Sequence, residues 1–356
     1  MTEMPPGQEE LFAGTMPVAE RSRFDTAALE RWMQNNVPDF VGPLRVEQFR
    51  GGQSNPTFRL EAGGKYYVMR RKPPGQLMRS AHAVDREYKI ITALGGTDFP
   101  VPRTYGLCTD ESVIGTWFFV MDYIEGRVFW DPTLAEQPPA ERAAIYQAMG
   151  ETQALLHSYD PDAVGLGDYG KKEDYLSRQI AGWAKRYKEA ETQDIPAMNR
   201  LGDWLTQHQP EERECRLVHG DYRLDNLIFH PTEARIIGVL DWEMSTLGDP
   251  LADFTYNCMA YYLPPTIFVG IKGRDGDGIP TVREHVAAYC RASGRDSVEN
   301  FDFYVVFNLY RMAAIMQGIM KRFVDGTASN ENAESLGQQT PEIADIAWGL
   351  AEGGAG

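Results

Sequence analysis

The 356-residue sequence predicts an α+β protein of two lobes, a small antiparallel sheet carrying one helix followed by a larger, mainly helical part. Three observations predict it. Strand-like alternation fills residues 44–72 and 103–126, interrupted once by the helix-spaced "AHAVDREYKIITAL". From "PPAERAAIYQAMGETQALLHSY" onward the apolar residues recur mainly at helical spacing. The length also exceeds what one hydrophobic core usually serves, and the composition changes near Gly126.

Residues 1–22 lack periodicity and are expected to form a flexible tail. The first lobe then spans 23–125. It opens on Asp25, a residue suited to cap the helix "DTAALERWMQNNV". Three strands follow, "LRVEQFR", "TFRLEA" and "KYYVMRRK", the last two joined by a Gly63-Gly64 hairpin turn. The helix comes next, then the strands "RTYGLC" and "TWFFVMDYIEG". The second lobe, 126–356, is helical apart from the short apolar flanks of "LVHGDYRLDNLIF" and the run "RIIGVLDWE". Its segment "FDFYVVFNLYRMAAIMQGIMKRF" is apolar on most faces and is expected to be largely buried. "GRDGDGIP" reads as a loop and "EGGAG" as a frayed end.

With 35 basic against 51 acidic residues the formal net charge is -16. Such a surface repels nucleic acid and anionic membranes, so neither is expected as a partner. No apolar run reads as long enough to span a bilayer, and "MTEMPPGQEELF" lacks the basic and then apolar character of a secretory signal. The four cysteines, Cys108, Cys215, Cys258 and Cys290, lie too far apart for a zinc or redox motif. A cytoplasmic location with reduced thiols is expected.

The chemistry concentrates in "LVHGDYRLDNLIF". Moving a phosphoryl group from a nucleotide to a hydroxyl calls for a carboxylate at the acceptor oxygen, a divalent cation on the phosphates and a cationic side chain at the phosphate tail. Asp221 and Asn226 stand in the D-x-x-x-x-N spacing of a kinase catalytic loop, two residues after His219. In that arrangement Asp221 orients or accepts the hydroxyl proton, and the Asn226 amide oxygen takes a metal. Asp241, at the end of the strand-like "RIIGVL", supplies a carboxylate to the same metal if the two flanks pair as a hairpin across "HPTEA". One carboxylate and one amide suit Mg2+, which takes hard oxygen ligands and retains waters. Taken singly, His219 reads as a brace for the loop, and an isolated Asp-x-x-x-x-Asn is weak. The three features in order are much harder to produce by chance.

"LVHGDYRLDNLIF" followed by "GVLDWEMSTLGDPLADF" resembles the aminoglycoside phosphotransferase and choline kinase family, which has a bilobal protein-kinase-like fold and phosphorylates small-molecule hydroxyls. H-G-D stands where protein kinases have H-R-D, and D-W-E where they have D-F-G. "YYVMRRKPPG", "GDYRLDN" and "WEMSTLGDPLAD" are similar to the subgroup fused ahead of acyl-CoA dehydrogenase domains in animals. No glycine-rich dinucleotide signature of a flavin dehydrogenase is present. The resemblance implies ATP as phosphate donor, Mg2+ as cofactor and a functional link to an acyl-CoA dehydrogenase.

It also implies a nucleotide site in the first lobe. "RGGQSNPTFRL" corresponds to the phosphate-covering turn, with Gly51 and Gly52 allowing close approach and the backbone or side chains of Ser54 and Asn55 donating to phosphate. Strand alternation puts Arg70 and Lys72 on one face and Arg71 on the other. Aligning "VMR" with the kinase "AIK" makes Arg70 the phosphate-binding cation, with Lys72 as the alternative; the guanidinium fork suits phosphate oxygens. Glu87 corresponds to the helix carboxylate that holds this cation. In "FFVMDYIEG" the Asp122 carbonyl and the Ile124 N–H correspond to the groups that face the base, with Met121 beside it. Asp249 and Asp253 correspond to carboxylates that brace the catalytic loop and cap a helix.

The acceptor is expected to bind the second lobe. Its aromatic and methionine-rich helices, with Arg311 at the rim of an apolar pocket, and the likeness to the dehydrogenase-fused subgroup lean toward a hydroxyacyl-CoA or hydroxy acid. The competing readings are an aminoglycoside- or choline-type kinase and a catalytically idle kinase-fold binding module. The second lacks its expected mark, because Asp221, Asn226 and Asp241 are all present.

Overall fold

The computed structural model describes residues 14–50, 55–73, 83–267, 269–328 and 332–353. The chain divides into two units, Met1–Trp130 with Asp225–Met244, and Asp131–Leu224 with Ser245–Gly356. The division falls at Trp130, close to the Gly126 expected from composition, but residues 225–244 return to the first unit. Backbone pairing explains this return: Arg127 and Phe229 exchange hydrogen bonds of 2.8 Å each, and Val239 N–H donates to the Pro100 carbonyl at 2.9 Å.

In the first unit β1 (Thr15–Met16) pairs antiparallel with β2 (Arg45–Phe49). Between them lies α1 (Thr26–Asn36), whose Asp25 side chain accepts from Ala28 N–H at 2.9 Å as the predicted N-cap. Next come β3 (Thr57–Ala62), β4 (Lys65–Arg71), α2 (Val84–Leu94), β5 (Thr104–Cys108), the short α3 (Glu111–Ile114) and β6 (Phe118–Asp122). The six strands form one antiparallel sheet in the order β1-β2-β3-β4-β6-β5. One face buries Phe58, Leu60, Tyr67 and Met69 against Leu29 and Met33 of α1. Residues 14–22, assigned to the tail by sequence, hold on to this sheet. Thr15 Oγ1 donates to Glu47 at 2.7 Å, and the buried Arg71 donates to the Ser22 carbonyl at 2.9 Å. These partners come from distant residues, so local periodicity carries no trace of them.

The second unit begins with α4 (Pro139–Ser158), α5 (Tyr175–Ala190), α6 (Pro196–Gln207) and β7 (Arg216–Val218). The chain then re-enters the first unit for the hairpin of β8 (Leu227–Phe229) and β9 (Ile236–Val239). It returns through β10 (Thr246–Gly248), which pairs antiparallel with β7. The helices α7 (Pro250–Cys258), α8 (Val282–Ser293), α9 (Phe301–Val324), α10 (Ala333–Gly337) and α11 (Thr340–Gly353) complete the unit. The apolar α9 packs against α5, α7, α10 and α11. It is, against the sequence expectation, long and apolar enough by length and composition to cross a bilayer; 78% of its most apolar window is buried.

The close approach at the hairpin requires Gly126. A Cβ there would lie 2.3 Å from the Phe229 carbonyl oxygen and 2.5 Å from Ile228 Cγ2. Gly126→Ala is therefore expected to destabilise the first unit by about 1–3 kcal/mol, read as a lowered urea midpoint. An unchanged midpoint would show that the hairpin shifts without cost.

Candidate active site

In the first unit, β4 and α2 bring Arg70 and Glu87 together under the sheet. Arg70 Nε lies 2.9 Å from Glu87 Oε2, with Glu87 only 1% exposed. The same guanidinium donates through Nη2 to Asp241 Oδ1 at 2.6 Å and lies 3.5 Å from Glu243 Oε2. Burial disfavours the charge on Arg70, but Glu87, Asp241 and Glu243 outweigh it and hold the guanidinium above its ordinary range. Burial pushes the Glu87 carboxyl up to about 7, with Arg70 opposing and the charges of Asp241 and Glu243 reinforcing. Arg70 is thus a cation gripped by carboxylates on two sides. Lys72, the alternative, instead sits 3.7 Å from Asp85 and over the Trp117 ring. Alternation put both cations on one face, but only Arg70 lies at the depth where Glu87 projects from α2.

The predicted hairpin forms. Leu227 pairs with Val239, and Leu240 N–H donates to the Asn226 carbonyl at 2.9 Å, so Asn226 and Asp241 emerge at the same end of β8 and β9. Asp241 has φ +63°, a left-handed conformation that aspartate tolerates better than most residues and that costs some strain. Among the described residues no three His, Cys, Asp or Glu side chains converge as a metal cage. One amide and one carboxylate oxygen fit a hard cation that keeps waters and takes its remaining ligands from phosphate, as Mg2+ does.

The Asn55 side chain is fully buried and donates to Glu87 Oε1 at 2.9 Å, bracing the carboxylate, which leaves the backbone of Asn55 as the donor expected for phosphate. Gly51, Gly52 and Ser54 lie outside the described residues. Asp122 ends β6, its N–H donating to the Arg103 carbonyl and its side chain accepting from Tyr105 OH at 2.5 Å. Ile124 follows β6, and its Cδ1 lies 2.8 Å from where a Cβ on Gly238 of β9 would stand.

In the second unit, the loop after β7 presents Asp221. Tyr256 OH donates to its Oδ1 at 2.9 Å, and Arg223 Nε lies 3.6 Å away. Burial raises the Asp221 carboxyl, but Arg223, His219, Arg311 and the Tyr256 hydrogen bond prevail and hold it below its ordinary value. Asp221 is therefore anionic at neutral pH, as a proton acceptor must be. The loop carrying it is held from beneath. Asp253 on α7 accepts from Gly220 N–H at 2.7 Å and His219 N–H at 3.1 Å, and from His157 Nε2 at 3.1 Å. Burial alone would raise Asp253, yet these donors bring it down to about 2. Asp249 caps α7, accepting from Leu251 N–H at 2.8 Å. The bracing and capping expected of these two aspartates are both present. His219, completely buried, accepts from Asp221 N–H through Nδ1 at 3.2 Å.

Arg311 corrects the sequence reading. It is 6% exposed, lies over the Tyr256 ring at 4.9 Å and donates to the Gly220 carbonyl, so it supports the loop that carries Asp221 where the rim of an apolar pocket was expected. Sequence reasoning also missed Glu243, His157 and Tyr256. The D-W-E run contains a signal for Glu243, two residues after Asp241; His157 and Tyr256 carry none, because their partners lie 96 and 35 positions away.

Compared with known proteins, the sequence matches the phosphotransferase enzyme family over residues 45–290. Its curated relatives include acyl-CoA dehydrogenase family member 10 of Mus musculus, 44% identical over 95% of this chain and 32% of that protein. Family member 11 of Homo sapiens is 42% identical over 89% and 42%. The chain thus spans less than half the length of these relatives. Among solved structures, a "putative aminoglycoside phosphotransferase" of Ralstonia eutropha JMP134 is 50% identical with TM-score 0.86, over 93% of this chain and 99% of that one. Aminoglycoside phosphotransferase APH(4)-Ia, in a ternary complex with ADP and hygromycin B, superimposes with TM-score 0.60 at 16% identity, over 92% of this chain and 99% of that one. That distant likeness speaks for the fold alone, and the kinase-like α+β architecture expected from sequence is the one observed.

Proposed function

Because the chain belongs to the phosphotransferase enzyme family, we propose that it transfers the terminal phosphoryl group of ATP to the hydroxyl of a small molecule. The observation that carries this reading is the cluster in the first unit, where one buried arginine joins the α2 carboxylate Glu87 to the hairpin carboxylate Asp241. Such a cluster has the parts that phosphoryl transfer needs for binding the phosphate tail and its cation. Arg70 grips phosphate oxygens while Glu87 and Asn55 keep it oriented. Asn226 and Asp241 would hold Mg2+, which would supply positive charge to offset that of the phosphates. The Asp122 carbonyl and Ile124 N–H face the base.

Asp221, five residues before Asn226 in the chain, accepts the proton of the acceptor hydroxyl. The alcohol oxygen then forms a bond to phosphorus as the bond to the ADP oxygen breaks. Asp253 and Arg311 hold the Asp221 loop still, which lowers the reorganisation the step requires.

For the acceptor we favour a hydroxyacyl-CoA or hydroxy acid, supported by the relatives' dehydrogenase names; a functional link to an acyl-CoA dehydrogenase goes with it. An aminoglycoside- or choline-type acceptor is the second reading, favoured by the similarity to the Ralstonia protein. A panel of hydroxyacyl-CoAs, hydroxy acids, choline and aminoglycosides, each incubated with MgATP, separates them by which one yields ADP and a phosphorylated product. Nucleotide binding without turnover of any of them would favour an idle fold.

A further inference from the structure

The second unit contains a cavity of about 410 Å3 between α4, α8 and the loop preceding α8, none of whose lining residues belongs to the machinery described above. Its walls are Tyr146, Ile279 and Ala288, and Glu284 and Arg291 stand exposed at its edge. His285 also lines it, only 2% exposed. Among the described residues the His285 ring has no hydrogen-bond partner; its contacts are aromatic, stacked on Phe254 at 5.4 Å and edge-on to Tyr146 at 6.1 Å. Neither ring nitrogen is among the sealed polar atoms that lack a partner, so a group entering the cavity can reach the imidazole and hydrogen-bond to it.

The surroundings select the ligand's chemistry. Burial pushes the His285 imidazole down to about 4, so at neutral pH it offers one donor and one acceptor nitrogen and no charge. The Tyr146 hydroxyl is spent on the Pro132 carbonyl at 2.6 Å. The Glu284 carboxylate is engaged by Thr281 N–H and Oγ1 in the α8 capping box. The two edge charges are opposite in sign, so they favour neither an anion nor a cation, and a charged group beside a neutral buried imidazole would lose its hydration without compensation.

We propose that this cavity is a binding site for a small uncharged ring bearing a hydroxyl, a ligand of the phenol class, with His285 as its hydrogen-bonding partner. The volume lies at the small end of the range for ligand pockets, which fits a single ring with short substituents. The apolar side chains of Tyr146, Ile279 and Ala288 accept the ring, and the hydroxyl hydrogen-bonds to the imidazole.

Phenol is the probe. The full chain, isotope-labelled in its histidine rings, is titrated with phenol by NMR, and the His285 signals are identified by their loss in His285→Phe, which keeps an aromatic ring on Phe254. Saturable His285 shifts at roughly millimolar phenol are expected, with benzene and benzoate each at least about tenfold weaker. The shifts should disappear in Ala288→Trp, which fills the space. No saturation, equal binding of benzene, or shifts that survive Ala288→Trp would overturn the assignment. If Ala288→Trp does not fold, calorimetry on His285→Phe decides: the heat of phenol binding must vanish, and its persistence refutes the site.

Discussion

Asp221→Asn is expected to slow turnover by about a hundred- to ten-thousand-fold while MgATP binds almost as tightly as to the native protein. The asparagine keeps the size of the side chain and accepts the Tyr256 hydrogen bond through its amide oxygen. It cannot take the proton of the acceptor alcohol. Two features of the structure sharpen the expectation. The carboxyl is held below its ordinary range by Arg223, His219, Arg311 and Tyr256 against the opposing effect of burial, so the native group is ionised throughout the neutral range. The loop backbone is anchored independently by Asp253 and Arg311, so loss of the Asp221 charge leaves the loop in place. Steady-state kcat beside nucleotide affinity from calorimetry makes the measurement. Equal kcat in native and variant protein would remove Asp221 from the chemistry.

Asp241→Ala acts on the other half of the machinery. It deletes one of the two oxygens proposed to hold Mg2+ and the 2.6 Å partner of Arg70. The Arg70–Glu87 contact at 2.9 Å does not involve Asp241, so the guanidinium proposed to bind phosphate keeps this anchor. Binding of metal-free nucleotide should therefore change little, whereas the gain in affinity that Mg2+ provides should fall about ten- to a hundredfold, the loss of one charged hydrogen bond or ligand contact. Nucleotide titrations with Mg2+ and with chelator make the comparison. If Mg2+ strengthens nucleotide binding equally in both proteins, Asp241 is not the ligand. The variant also tests the electrostatics of the cluster: Asp241 helps to raise the Glu87 carboxyl, and without it Glu87 should ionise at lower pH.

Much of this molecule is legible in short windows of sequence. The strands of residues 57–62 and 65–71 were bounded by the hairpin glycines and the alternation of apolar side chains, and the Asp25 cap follows from local hydrogen-bonding chemistry. The pairing of Asn226 with Asp241 was legible for a related reason. A short hairpin brings both to the same end of β8 and β9, so little long-range folding is needed.

What the sequence by itself determined was therefore the class of fold, the order of its elements and the hairpin that sets Asn226 beside Asp241, because these depend on period, spacing and side-chain chemistry. Tertiary structure alone decided which cation faces Glu87, why Asn55 braces a carboxylate, where Arg311 spends its charge and that residues 14–22 add to the sheet. Each of those outcomes turns on a partner brought in from elsewhere along the chain. A buried charge or amide is satisfied by whatever group the fold places within about 3 Å, and neither local spacing nor composition encodes that neighbour.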